Sequence, residues 1–154
     1  MIRLARLEDA LVLVEFNQRM AAETEGVALD GARLEAGVRA VFADPAKGLY
    51  FVAEAGGRIV GQLMITHEWS DWRNGDIWWI QSVYVRPEDR RRGVFRALYR
   101  HVEAAARDAG VVMIRLYVHE GNQTGQGTYE SLGMRMTHYR VMEAQAGARG
   151  APRD

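Results

Sequence analysis

Residues 83–96 read Val83-Tyr84-Val85-Arg86-Pro87-Glu88-Asp89-Arg90-Arg91-Arg92-Gly93-Val94-Phe95-Arg96. An apolar run stops at a proline, and three arginines then precede a glycine and a helix-like run. The first turn of a helix carries partial positive charge and N–H groups without intrahelical acceptors. Arginines placed there are unfavourable by roughly a few tenths of a kcal/mol each. A bound anion removes the conflict, because amides and guanidinium groups then face negative charge together. Gly93 lets the backbone approach such an anion closely. The same residues also suit a solvated basic turn, partly neutralised by Glu88 and Asp89.

The elements that position this turn follow from hydrophobic periodicity. Residues 2–7 form a short strand. Asp9 caps a helix over residues 10–22, on which Leu13, Phe16 and Met20 recur at helical spacing. Asp30 starts a second helix with Leu34, Val38 and Val41 on one face, and Asp44-Pro45 stops it. Residues 49–53 make a strand, Gly56-Gly57 a tight turn, and residues 58–67 its hairpin partner. A polar loop carrying Trp69 and Trp72 follows over residues 68–76. Residues 77–85 are apolar on both faces and read as a central strand. After Gly93, Val94, Leu98, Val102, Ala105 and Ala109 mark one helix face, closed by Gly110. Residues 112–118 alternate as a strand, Asn122 caps a last helix ending at Gly133, and residues 134–142 return as a final strand. The order β-α-α-β-β-β-α-β-α-β implies an α/β (α+β) fold with helices on both faces of a mixed sheet. A single domain is expected over residues 1–143, with a loose tail over 144–154.

Two segments of this pattern resemble the GCN5-related N-acetyltransferase (GNAT) family. Arg90-Arg91-Arg92-Gly93-Val94-Phe95 is similar to the family's Gln/Arg-x-x-Gly-x-Gly/Ala loop, with Phe95 in place of the small residue. Val83-x-Val85-x-Pro87 resembles the strand end before that loop. Asn122 through Met134 resembles the family's Asn-x-x-Ala-x-x-x-Tyr-x-x-x-Gly-Phe segment, with Gly125 for Ala and Met134 for Phe. The element order agrees over residues 1–142.

The resemblance implies acetyl-CoA as co-substrate, lying where the fourth and fifth strands splay apart. Main-chain groups of the Val83-Tyr84-Val85 stretch would pair with the pantetheine arm. An N–H near Val83 would polarise the thioester carbonyl. Arg90, Arg91, Arg92, Gly93, Val94, Phe95 and Arg96 would hold the pyrophosphate, and Asn122 the pantetheine. Tyr129 falls on the family's general acid. A tyrosine and a thiol titrate near 10 and 8.5, so its hydroxyl can protonate the departing sulfur. Packing is the alternative role for that ring. Many members use a glutamate on the fourth strand as base; Gln81 stands in that neighbourhood, and an amide cannot take the proton. Water, Glu23, Glu25, Glu54 and His119 are the alternatives. Trp79, Gln81, Glu23 and Glu25 are the residues assigned to the acceptor side. Trp78 and Trp79 face opposite sides of the sheet. Trp69 and Trp72 suit an acceptor pocket, a hydrophobic plug or a homodimer contact.

Composition limits the alternatives. The chain has 154 residues, 48% apolar and 26% charged, which suits one soluble globular domain. Lys plus Arg equals Asp plus Glu at 20 each, which argues against a nucleic-acid partner for the arginine turn. The absence of cysteine excludes thiol nucleophiles and fits direct transfer in the cytoplasm. There is no apolar run of bilayer length and no secretory h-region, so no membrane partner is expected. His67-Glu68 and His119-Glu120 lack the second histidine of a zinc motif, so no metal is expected. The function implied is N-acetyl transfer to a small-molecule or peptide amine. A non-catalytic acyl-CoA-binding module with the same fold is the second reading.

Overall fold

A computed structural model describes residues 1–147. They fall into two compact units, Met1–Tyr117 and the residues from Val118 onward. The first unit holds β1 (Ile2–Leu4), α1 (Ala10–Glu25), α2 (Gly31–Ala43), β2 (Leu49–Ala55), β3 (Arg58–Ser70), β4 (Gly75–Val85), α3 (Val94–Asp108) and β5 (Met113–Leu116). The strands form one sheet in the order β1-β2-β3-β4-β5. The first three pairings are antiparallel, and β4 with β5 is parallel. A parallel neighbour needs a crossover, and α3 supplies it.

Local chemistry sets most boundaries as the sequence predicts. The Asp30 carboxylate accepts from the Arg33 amide at 2.8 Å and opens α2. Gly56 and Gly57 turn the β2–β3 hairpin with φ of 59° and 75°, values that L side chains resist. Asp9 departs from expectation. It caps no helix amide of α1 with its side chain. Instead it is buried and bonds Arg3 at 2.8 Å and the Arg6 amide at 2.7 Å. Arg3 also pairs with Glu54, so one guanidinium ties β1, β2 and the entry to α1 together. That partner holds the Asp9 carboxyl below its ordinary range.

α1 and α2 cover one sheet face, where Ala10, Leu13, Val38, Val41, Tyr50 and Val52 pack together. On the other face, α3 buries Leu98, Tyr99, Val102 and Ala106. Ala106 takes the place expected for Ala105 and Ala109, because the buried stripe drifts round the helix. Fully burying one such Leu or Phe contributes about 1.5–3 kcal/mol, so Leu13, Phe16, Leu63 and Leu98, all fully enclosed, dominate this core.

The polar stretch after β3 is mostly strand. β3 and β4 pair through Ser70 and Gly75, which leaves residues 71–74 as the turn. Trp69 therefore lies in β3 opposite Asp76, although it and Trp72 remain exposed. A Cβ on Gly75 would stand 2.5 Å from a Val112 methyl, so glycine is needed where this hairpin meets the chain entering β5.

The second unit contains α4 (Gln123–Ser131), begun at Asn122 as expected. The strand expected at residues 134–142 is not formed among the described residues. The Thr137 hydroxyl accepts locally from the Tyr139 amide at 3.3 Å, and no strand pairing is formed by these residues. Residues 144–147 have no regular structure, and the rest of the expected tail, 148–154, lies outside the described residues.

Candidate active site

β4 is the strand on which the site is built. Its register with β3 slips between Met64 and Ile65, so Gln81 is an extra residue, a β-bulge. The bulge reverses the alternation of side chains. Trp78 packs beside Phe51, which in turn meets His101 of α3. Tyr84, six residues on, would share that face in a regular strand. It instead meets Phe16 of α1 at 5.0 Å between ring centroids. Trp79 and Gln81 therefore lie on the α1 side, as does Tyr84, while Val85 lies beside Val94 at the start of α3.

The main chain of β4 alternates likewise. The Arg86 amide bonds the Val60 carbonyl at 2.9 Å. Every second residue of an antiparallel strand points its N–H and C=O at the same neighbour. Tyr84 and Ser82 thus turn theirs to β3, whereas Val83 and Val85 turn theirs to the opposite edge. β5 pairs along that edge only as far as Ile80 and Leu116. Beyond those residues β4 continues without β5, so Val83 and Val85 present main-chain groups along an open edge.

Below that edge, residues 90–96 form the turn into α3. Gly93 is its N-cap, with φ 79°, and no side chain caps the helix. Nothing lies within 4 Å of the position its Cβ would take, so the backbone angle, not crowding, demands glycine here. Arg91 also has positive φ, 62°. The arginines do not act alike. Arg90 bends back: its guanidinium donates to Glu23 at 2.6 Å and to the Val85 carbonyl at 2.9 Å. Arg92 is largely exposed and stands 3.7 Å from Asp89. Arg91 is exposed and enters no ion pair among the described residues. Glu88 and Asp89, the expected local counter-charges, are bonded by Arg58 at 3.0 and 2.9 Å. Their charge is therefore spent mainly on the β2–β3 hairpin. Phe95 packs along the helix toward Tyr99, with centroids 6.2 Å apart. Its bulk thus leaves the turn open. A Cβ on Gly61 would come within 3.1 Å of the Tyr84 carbonyl and a Val94 methyl. That glycine lets α3 begin against the sheet.

Glu23 lies in the last turn of α1, beside this turn. It accepts from the Tyr84 hydroxyl at 3.0 Å and from Arg90. The Arg90 bond holds its carboxyl below the ordinary range, which weakens it as a proton acceptor. Burial, followed by the Glu23 charge, pushes the Tyr84 phenol up. Glu25 is exposed. Glu54 lies on β2, held by Arg3, with β3 between it and β4. In the second unit, the His119 Nδ1 accepts from the Gly121 amide at 3.0 Å. There too Asn122 Oδ1 accepts from the Gly125 amide at 2.9 Å. Gly125 is explained by that bond, since a Cβ there would stand 2.4 Å from Asn122 Nδ2. Burial pushes the Tyr129 phenol up, so the ring keeps its proton at neutral pH.

Sequence reasoning missed Glu68, Arg115 and Tyr117. Trp79 Nε1 donates to Glu68 at 3.3 Å, and Arg115 donates to the other Glu68 oxygen at 3.2 Å. Tyr117 stacks on Trp79 with centroids 4.6 Å apart. Gln81 donates to the Thr66 hydroxyl at 2.9 Å. Only strand register joins these residues, and no local motif announces it. Among the described residues, no cluster of His, Asp and Glu could hold a metal, and no helix is long and apolar enough to cross a membrane.

The strand edge leads into a glycine-capped, arginine-bearing helix turn. The acetyltransferase (GNAT) family model matches residues 14–134, and the chain belongs to that family. It is similar to the crystal structure of a possible acetyltransferase from Clostridium difficile 630, with 42% identity and a TM-score of 0.90 over 96% of this chain and 98% of that one. It is 37% identical over 91 residues to a mycothiol acetyltransferase from Thermobispora bispora, covering 58% of this chain and 30% of that protein. It is 28% identical over 82 residues to a thialysine N-epsilon-acetyltransferase from Caenorhabditis elegans, covering 53% and 51%. The chain thus spans about half or less of these curated relatives.

Proposed function

We propose that this chain is an acetyl-CoA-dependent N-acetyltransferase that moves the acetyl group directly to a primary amine. The observation that carries the reading is the open edge of β4 leading into the uncapped N-terminus of α3. Val83 offers its N–H and C=O groups and Val85 its N–H at the spacing of an added strand, while the Val85 carbonyl is bonded by Arg90, and this edge suits an amide-containing arm. The amides from Arg91 onward, with Arg91 and Arg92, suit the pyrophosphate at its end. Arg90 serves instead as a bracket, fixing Val85 and α1 around the turn.

Acetyl-CoA supplies the activated acetyl group. The amine nitrogen forms a bond to the acetyl carbon, and the bond from that carbon to sulfur breaks. The amine gives up a proton to water, and Tyr129 gives its hydroxyl proton to the leaving sulfur. Water regenerates the phenol afterwards. Burial keeps the Tyr129 phenol protonated until the sulfur departs, and it also makes the hydroxyl a weaker acid, so the role rests on its position in the family's motif and not on the shift. Glu23, committed to Arg90 and Tyr84, holds the geometry of the turn rather than taking the amine proton. The lack of cysteine is consistent with transfer without an acyl-enzyme. A cytoplasmic place of action and a small or peptide amine acceptor are parts of the same proposal.

The direct test is thiol release from acetyl-CoA with a panel of primary amines. Amine-dependent release with stoichiometric acetylated product is expected. Binding of acetyl-CoA without turnover of any amine would favour the non-catalytic module.

A further inference from the structure

Glu68, Trp79, Arg115 and Tyr117 come from three strands and meet where β4 and β5 part. Trp79 pairs with Arg115 across the two strands, and Ile80 with Leu116 is the last pair. Tyr117 follows immediately and stacks on Trp79 at an interplanar angle of 30°. The Arg115 guanidinium lies 5.8 Å from the centre of the Trp79 ring.

The arrangement is more than an isolated surface ion pair. Glu68 has both oxygens engaged, one by Trp79 and one by Arg115. Arg115 donates once, to Glu68, of the five N–H donors a guanidinium carries. Its charge is balanced, but most of its donor capacity is left over. The side chain is 26% exposed, so those donors are within reach of a ligand. Beside it, Tyr117 is 58% exposed and extends the aromatic surface of Trp79. An exposed ion pair alone adds little stability, and an exposed aromatic shelf adds less than a buried one. The features that add little to stability are those a ligand would use.

A planar guanidinium edge matches a carboxylate with two parallel hydrogen bonds. The aromatic shelf matches a short alkyl chain attached to it. A polycationic acceptor would instead meet an arginine, and would find the Glu68 carboxylate already doubly bonded. We infer that the acceptor is an amino-carboxylate, its carboxylate bound by Arg115, its chain lying over Trp79 and Tyr117, and its amine directed to the open edge of β4 past Gln81. This rests on the acetyltransferase reading and names the acceptor class for the same site.

The test compares matched acceptors that differ only in the carboxylate: lysine with 1,5-diaminopentane, ornithine with 1,4-diaminobutane, 5-aminopentanoate with butylamine. Wild-type protein should prefer the carboxylate partner by about tenfold or more in kcat/KM in at least one pair. Arg115→Met should abolish that preference by raising KM for the carboxylate. The decarboxylated amine and acetyl-CoA should keep their KM within about twofold. Arg115→Lys, which keeps charge but not the planar fork, should restore part of the preference and serves if the methionine variant does not fold. Binding is read separately from turnover by titrating 5-aminopentanoate against tryptophan fluorescence. A quench lost in both Arg115→Met and Trp79→Phe supports the subsite. No carboxylate preference in any pair, or equal losses for both members of a pair in Arg115→Met, overturns it. If no amine is acetylated, a retained Arg115-dependent quench overturns the transferase reading and upholds the subsite, and an absent quench overturns the subsite as well.

Discussion

The N-terminal turns of α3 and α4 use opposite solutions to the same problem. Both helices begin with amides that lack intrahelical acceptors. At α4, Asn122 folds over and accepts from the Gly125 amide, and Gly125 has no side chain because the asparagine occupies that space. At α3, the cap is a glycine with no side chain to offer, its Cβ position is empty, and the neighbouring charges are positive. A helix end that satisfies itself is a structural end. One whose cap has no side chain to offer, and which is charged against its own dipole, suits a bound anion. The contrast also revises the roles of two residues. Arg90 belongs with the structural devices, because both of its bonds go to the protein. Asn122 spends its oxygen on the cap and has only its amide N–H groups left for a ligand.

The largest effect should come from the self-capped helix, through Tyr129 rather than its amides. Tyr129→Phe removes a hydroxyl and keeps the ring. Single-turnover transfer should fall by about 10²-fold, while the acetyl-CoA Kd should barely change, since the hydroxyl acts mainly in the transition state. Unchanged single-turnover rates across pH would remove Tyr129 as the acid. Next, replacing Arg91 and Arg92 together by Ala should weaken acetyl-CoA binding by about tenfold, roughly 1.4 kcal/mol. It should leave acetyl-pantetheine binding unchanged and flatten the salt dependence. Arg90→Ala should instead lower the melting temperature. Equal losses for both ligands with the Arg91 and Arg92 change would make α3's turn structural too.

A smaller effect tests the closed end. Helix propensity alone favours Ala over Gly by about 1 kcal/mol. Gly125→Ala should nevertheless fail to stabilise the protein, because it displaces the Asn122 cap, worth about 1 kcal/mol. In an Asn122→Ala background the same substitution should stabilise. Additive effects in this double-mutant cycle, read by denaturant unfolding, would contradict the packing of Asn122 over Gly125. The smallest effect is in acid. Glu23 has a folded pKa below its ordinary value. Its bond to Arg90 therefore contributes stability above the unfolded pKa, and that contribution is lost as pH falls through the lower folded value. Relative to wild type, Glu23→Gln should flatten the stability profile below about pH 4.5 and leave it parallel near neutrality. Parallel profiles throughout would show that the Glu23–Arg90 bond adds nothing.

Legibility in the sequence followed locality. The arginine turn, Gly93, the Asp30 cap, the Gly56-Gly57 hairpin and the crossover helix all depend on neighbours within a few residues, and all were readable. Asp9 was misread because its partner, Arg3, competes with the helix end for the same carboxylate. The bulge at Gln81 could not be read, since it exists only as a mismatch between two strands. With it went the side of the sheet on which Tyr84 stands. Glu68, Arg115 and Tyr117 were invisible for the same reason: alternation gave each a face, but nothing in the sequence gave them a common register. Residues 134–142 show the reverse failure, where an alternating pattern finds no strand partner among the described residues.

In the proposed function the open end of α3 holds the phosphates of the co-substrate while the edge of β4 holds its arm. Calorimetric titration of the wild-type protein with acetyl-CoA and with acetyl-pantetheine tests it most directly. Acetyl-CoA should bind at least about 100-fold more tightly, a difference near 2.7 kcal/mol. Inorganic pyrophosphate should compete with acetyl-CoA and not with acetyl-pantetheine. Equal affinities for the two thioesters, with no competition by pyrophosphate, would contradict the account.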